Sequence, residues 1–277
     1  MLTRRTLGRL AIGMTAGLAS GCSLVPTAFR PAGSQPAPNE PFGDFTVTNY
    51  LSGAIWEELR VFTDGAAVQV SSGGGTGGRL DPQLMERLRS LVGSDDFQRD
   101  LTRPLDKIES RVCDRVSNDT GYAFRMGGLS VDLPCTNNDR PALDEFLTMI
   151  KPYLFSHAQF EAKLPSGQPD LPKVVVHQES DGQRVGTQWE VRPDGTMLET
   201  DDAGEQTEVT LTAPALDALR LILRTEPCAS TEQPSLSFVY VVQVADRAPV
   251  TVSQFSGEVV KDCVDHHAIA QIIAGVR

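Results

Sequence analysis

The sequence predicts an α+β protein of two tandem repeats, each a small antiparallel sheet packed with two helices in the order β-β-α-β-β-α. Three observations predict it. An Asp-Gly pair stands between two short strand-like runs twice, in LRVFTDGAAVQV (59–70) and WEVRPDGTMLET (189–200). Each of these is followed by a polar stretch and then an amphipathic helix pattern. Each helix is followed by a second strand pair and a closing helix.

The first helix is DPQLMERLRSLV, with Asp81 as N-cap, Pro82 at the first helical position and Leu84, Leu88 and Leu91 as its apolar stripe. Its counterpart, TAPALDALRLIL, takes Thr212 as cap and Leu216, Leu219 and Leu223 as stripe. The second strand pairs are RVCDRVSND with YAFRMGGLSVDL, and LSFVYVVQV with APVTVSQF. The closing helices place Leu143, Phe146, Leu147 and Ile150 on one face in the first repeat, and Ile269, Ile272 and Ile273 in the second. The repeats occupy 45–155 and 173–277, with a proline-containing linker at 156–172.

Before the repeats come two segments of other kinds. Residues 1–21 have a basic start with Arg4, Arg5 and Arg9, then an apolar run too short to span a bilayer, then Ala19, Ser20 and Gly21. Cys22 follows directly. This layout resembles a bacterial lipoprotein signal, with Leu18 one place earlier than the commonest pattern. The resemblance implies that Cys22 receives a diacylglycerol and becomes the acylated N-terminus, which puts the chain at the cell membrane facing outside the cytoplasm. Arg4-Arg5 also resembles a twin-arginine signal, so the export route stays open between that pathway and the general one. Residues 22–44 hold five prolines without apolar periodicity and read as a disordered tether, about 70 Å long if extended.

The first 21 residues contain three of the 25 basic and none of the 36 acidic side chains, so the exported part has a net charge of about −14. Such a surface disfavours nucleic acid and anionic lipid as partners, because both need clustered Lys and Arg. Assigning Cys22 to lipid leaves four cysteines, an even number that suits an oxidising compartment. Of their three possible connectivities the repeat favours Cys113–Cys135 and Cys228–Cys263.

The order of elements resembles the emfourin family of small bacterial metalloprotease inhibitors. LRSLVGSDDF (88–97) and PALDEFL (141–147) carry the likeness, over about half of the first repeat and more faintly in the second. The resemblance implies an architecture, and as an alternative function the inhibition of a secreted protease.

Candidate chemistry is sparse. In SSGGGTGGR (71–79), Gly73 and Gly78 have phosphate-loop spacing, but Arg79-Leu80 replace the Lys and hydroxyl residue such a loop needs. The stretch reads instead as a flexible recognition loop built on Gly73, Gly74, Gly75, Gly77, Gly78 and Arg79. His266 and His267, near Asp262, Cys263 and Asp265, are adjacent on a helix and do not share a face, so no metal is expected there. Asp265 reads as an N-cap, and His157 and His177 as isolated loop or strand residues. Neither a nucleophile elbow nor a spare cysteine supports covalent catalysis. The pairs Asp95-Asp96 and Asp201-Asp202 leave a carboxylate hydrolase as a further alternative. Trp56 and Trp189 both read as core. The expectation is therefore a membrane-anchored, non-catalytic envelope binding module without cofactor, whose partner is an envelope or secreted protein.

Overall fold

In the computed structural model both Asp-Gly pairs close hairpins, and they do so with matching hydrogen bonds. Phe62 N–H donates to Ala66 O at 2.8 Å, Gly65 N–H to Phe62 O at 2.9 Å, and Ala66 N–H to the Asp64 carboxylate at 3.0 Å. Arg192, Gly195 and Thr196 donate in the same three ways at 2.8, 2.9 and 2.9 Å. Gly65 and Gly195 stand at φ +86° and +88°, in the left-handed region that favours glycine.

The structure describes residues 42–51, 54–103, 120–133, 140–154, 160, 164, 170–225, 227, 238–253 and 264–275, all within one unit that spans Ala32–Arg277. Cys22 and the other four cysteines, the signal, most of the tether (up to residue 41), RVCDRVSND, His157 and Asp262 lie outside the described residues.

The first repeat runs β1 (Phe45–Leu51), β2 (Ala54–Val61), β3 (Ala66–Ser71), β4 (Gly74–Arg79), α1 (Pro82–Val92), α2 (Asp95–Thr102), β5 (Thr120–Met126), β6 (Leu129–Leu133) and α3 (Pro141–Ile150), then a 3-10 turn at Lys151–Tyr153. The second runs β7 (Val174–Ser180), β8 (Gln183–Val191), β9 (Thr196–Thr200), β10 (Gln206–Thr210), α4 (Ala213–Ile222), β11 (Phe238–Val244), β12 (Val250–Ser253) and α5 (Asp265–Ala274). The fold is α+β with two six-stranded antiparallel sheets, ordered β4-β3-β2-β1-β5-β6 and β10-β9-β8-β7-β11-β12. Strand for strand the two orders are the same.

The register matches as well. Phe45 pairs with Val61 and Val47 with Leu59; Val174 pairs with Val191 and Val176 with Trp189. Both first hairpins carry a register shift near the same place, at Asn49/Tyr50 and at His177/Glu179. The described repeat holds more elements than the predicted one, within the same bounds. Four strands precede the first helix, and α2 is an additional short helix capped by Ser94, whose Oγ accepts from Phe97 N–H at 3.1 Å.

The helices pack differently in the two halves. On one face of the first sheet, α1, α2 and α3 enclose a core that includes Leu59, Leu88, Leu143 and Leu147. Its centre is four phenyl rings, in which Phe124 and Phe146 touch each other and both touch Phe45 and Phe97, with centroids 5.2–5.7 Å apart in these five pairs. Each such pair contributes about 0.5–1.5 kcal/mol beyond its buried area. The helices of the second repeat lie against the other face of the first sheet. α4 and α5 both pack on β3 and β4, and α5 also touches β7, β8, β11 and β12. Ile55, Phe62, Ala66, Val68 and Val70 thereby join the core of the second repeat. The layers are helices, sheet, helices, sheet.

This position accounts for two differences from the sequence reading. α4 buries Ala218, Leu221 and Ile222 beside Leu219, wider than a one-sided stripe, and α5 buries eight of its ten residues. A helix between two sheets has two faces to fill. Asp81 caps α1 as expected, accepting from Gln83 and Leu84 N–H at 2.9 Å each. Asp265 is not the N-cap of α5; Val264 holds that place and Asp265 is the first helical residue.

Candidate functional site

The stretch 71–79 is where the two repeats meet. Ser72-Gly73 is a tight turn, and Gly74–Arg79 is β4, so the flexible-loop expectation is corrected to an edge strand. Its glycines admit a helix at close range. A Cβ on Gly77 would stand 2.9 Å from Leu221 Cδ1 and 3.2 Å from the Ala218 backbone, and one on Gly75 would stand 3.4 Å from Ile272 Cδ1. Gly73 is exposed at the turn, and Gly74, at φ +123°, faces Gln271 and Ile272. Gly78 is buried opposite Ala67. Arg79 donates to Asp64 O at 2.7 Å, holding the hairpin turn against the strand. What this stretch contacts in the structure is the chain's own second repeat.

Charge crosses the same seam. Arg60 on β2 donates Nε–H to Glu58 at 2.6 Å and Nη2–H to Asp265 at the start of α5. Thr48 donates to the other oxygen of Glu58 at 3.2 Å. The three charged side chains are at most 11% exposed. Burial alone would lower the Arg60 pKa, but Glu58 and Asp265 more than offset it and raise it. On the opposite face of the first sheet Glu57 is 1% exposed, accepting from Asn49 at 3.2 Å and Gln69 at 3.0 Å. Burial raises its pKa against those two hydrogen bonds, and burial together with Glu57 raises that of Tyr122.

At one end of the seam lies a groove of about 320 Å³, lined by Asp64 from the first repeat and by Asp170, Leu171, Pro172, Arg220, Leu223 and Arg224. Arg224 lies over the Phe62 ring at 4.3 Å and donates to Asp64 at 2.8 Å. Burial pushes the Asp64 carboxyl up, but the Ala66 amide and Arg224 outweigh it and hold the group below its ordinary value.

Trp189 is core, 4% exposed, but Trp56 is 49% exposed, which corrects the reading of both as core. The cause is the bulge in β2. Ile55 pairs with Tyr50 and Glu57 with Asn49, so Trp56 is the extra residue with no ladder partner. Trp189 matches Leu59 in register, and Trp56 falls level with Gly186, which stands at φ +66°. Tyr50 accepts from the exposed Arg125 at 3.3 Å. Arg125 has no carboxylate partner among the described residues.

The remaining candidates stay apart. Asp95 and Asp96 are in the first turn of α2, where Asp96 pairs with Arg99 at 2.5 Å. Asp201 caps a turn by accepting from Ala203 and Glu205 N–H, at 2.9 and 2.8 Å. His177 pairs with Glu179 at 2.9 Å on β7, and His266 and His267 are buried in the first turn of α5. Among the described residues no group of three His, Cys, Asp or Glu is placed to hold a metal ion. No family model, no curated protein and no solved structure matches the chain.

Proposed function

We infer that this chain is an exported, acyl-anchored envelope protein that works as a non-catalytic binding module. The observation that carries the binding reading is Trp56. A half-exposed indole gains little for the fold, and the matched repeat does without it, with Gly186 at the same level. On the adjoining strand β1, Tyr50 pairs with Ile55, the residue before Trp56, and accepts from Arg125; Trp, Tyr and Arg are the residues that dominate protein–protein contacts. Anchoring rests on the order basic start, apolar run, small residues, Cys22. No helix among the described residues is long and apolar enough to cross a membrane.

The test of binding uses the mature chain as bait on envelope extract, beside a Trp56→Ala bait. A partner held by the first and lost by the second is expected, and the same proteins on both would overturn the reading. Anchoring is tested separately. Cys22→Ser should move the protein from the detergent phase to the aqueous phase, and retention in the detergent phase would refute the acyl anchor.

A further inference from the structure

We propose that Glu57 is a proton switch for the bulge that presents Trp56. Trp56 is the extra residue of that bulge, and Glu57 follows it and closes the ladder again opposite Asn49, where the register shifts. The Glu57 side chain is 1% exposed, and its two oxygens accept from Asn49 Nδ2 at 3.2 Å and from Gln69 Nε2 at 3.0 Å. Both partners are neutral amides. Of the strands around it, β1 presents Asn49, β3 presents Gln69 and, level with Glu57, Ser71, and β5 presents Tyr122, level with Asn49. Tyr122 is the one titratable side chain among these. Burial and then Glu57 raise its pKa from an ordinary 10.0, so it stays neutral while a carboxyl titrates. Among the described residues no Lys, Arg or His pairs with Glu57.

A carboxylate buried without a cation favours taking up a proton, here from solvent. Burial raises the Glu57 pKa against the hydrogen bonds from Asn49 and Gln69. The two forms of the group need different partners. Ionised, it accepts at both oxygens, which is the arrangement described. Protonated, one oxygen becomes a donor, so one of the two amides must turn over and offer its C=O in place of its NH2. Asn49 stands at the register shift itself, and a turned amide there alters the hydrogen bonding that seats the bulge. The fold alone does not call for this carboxyl. The matched repeat keeps the strand order with Thr187 at that position and Gly186 level with Trp56. As regulation of binding, the switch rests on the reading of Trp56 as the binding surface.

The chain has two tryptophans, and Trp56 is 49% exposed against 4% for Trp189, so the second serves as an internal control. The experiment follows both indole N–H resonances and the Glu57 carboxyl carbon of the whole mature chain by NMR, from about pH 8 to about pH 4, with Trp56→Phe to assign the indoles. A one-proton midpoint at Glu57 above the ordinary 4.5 is expected, with a Trp56 shift at the same midpoint and none at Trp189. In Glu57→Gln, which keeps a hydrogen-bonding group of similar size, the Trp56 shift should be lost. A Trp56 resonance that stays still through the Glu57 midpoint, a Glu57 midpoint at or below 4.5, or a shift that persists in Glu57→Gln would overturn the proposal. Should that variant fail to fold, the first two outcomes on the unaltered chain decide. No partner is present in the titration, so its failure and the failure of the binding reading are told apart.

Discussion

The two repeats share strand order, register and turn hydrogen bonds, yet they treat one sheet face in opposite ways. In the first repeat that face carries Ala66, Val68, Val70, Gly75 and Gly77, and two helices lie on it. At the matched positions the second repeat carries Thr196, Leu198, Thr200, Gln206 and Glu208. Arg60 and Glu58, which reach across the seam, are matched by Glu190 and Gln188, and Glu190 pairs instead with half-exposed Lys173 at 2.9 Å. The first face is made to receive a neighbour and the second to end the stack. This is the division between an inner unit and a cap in repeat proteins, compressed into two units.

The comparison can be broken most forcefully at Arg60. Arg60→Met leaves Glu58 and Asp265 buried without a cation and should destabilise by about 3–5 kcal/mol in chemical denaturation. Glu190→Met at the matched position should change stability by less than about 1 kcal/mol, because it breaks only a partly exposed pair. Equal losses would mean that the seam does not hold the first repeat.

The strand that ends each first meander gives the next contrast. Gly77→Ala forces Leu221 and the Ala218 backbone away and should cost about 1–3 kcal/mol, whereas Glu208→Ala should stay within about 0.5 kcal/mol. Thermal melts of the two variants decide it.

A smaller effect, of opposite sign, is expected at Glu57, whose matched position is Thr187. Its folded pKa lies above the ordinary 4.5, so the folded state holds the proton more tightly than the unfolded one. The associated stability is present below the unfolded pKa and is lost as pH rises through the folded value. Glu57→Gln should therefore be relatively more stable at neutral pH than at pH 4, and a parallel shift at both would reject the sign. The smallest effect sharpens the seam itself. Asp64→Asn keeps the turn acceptor but loses the pair with Arg224, and should cost less than about 1 kcal/mol more than Asp194→Asn, as read by urea midpoints.

Much of this architecture was legible in the chain. The Asp-Gly pairs, the Asp81 cap and the stripe on α3 each depend on local chemistry that a few residues carry. β4 was not legible, because Gly-Gly-Thr-Gly-Gly-Arg has no strand propensity of its own, and only the helix above it makes a strand of it. β1 and β7 carry no such signal, because an Asp-Gly turn marks only the strands on either side of it. β10 is an exposed edge whose polar sequence gives no alternation to read. The exposure of Trp56 is not legible either, because it comes from a one-residue bulge, which no period reveals. The groove was out of reach, since Asp64, Asp170 and Arg224 are brought together only by the stacking of one repeat on the other.

The placement of α5 has a kinetic consequence. Arg60 meets Asp265 across 205 residues of chain, and β3 and β4 are covered by helices that emerge long after them. Loop closure over such a distance is slow relative to local hairpin formation. The first sheet should thus form early with one apolar face in water, and mature only when α5 docks. Until then Ala66, Val68 and Val70 offer a sticky strip to any other nascent chain, so the last helix acts as the chain's own holdase, arriving late.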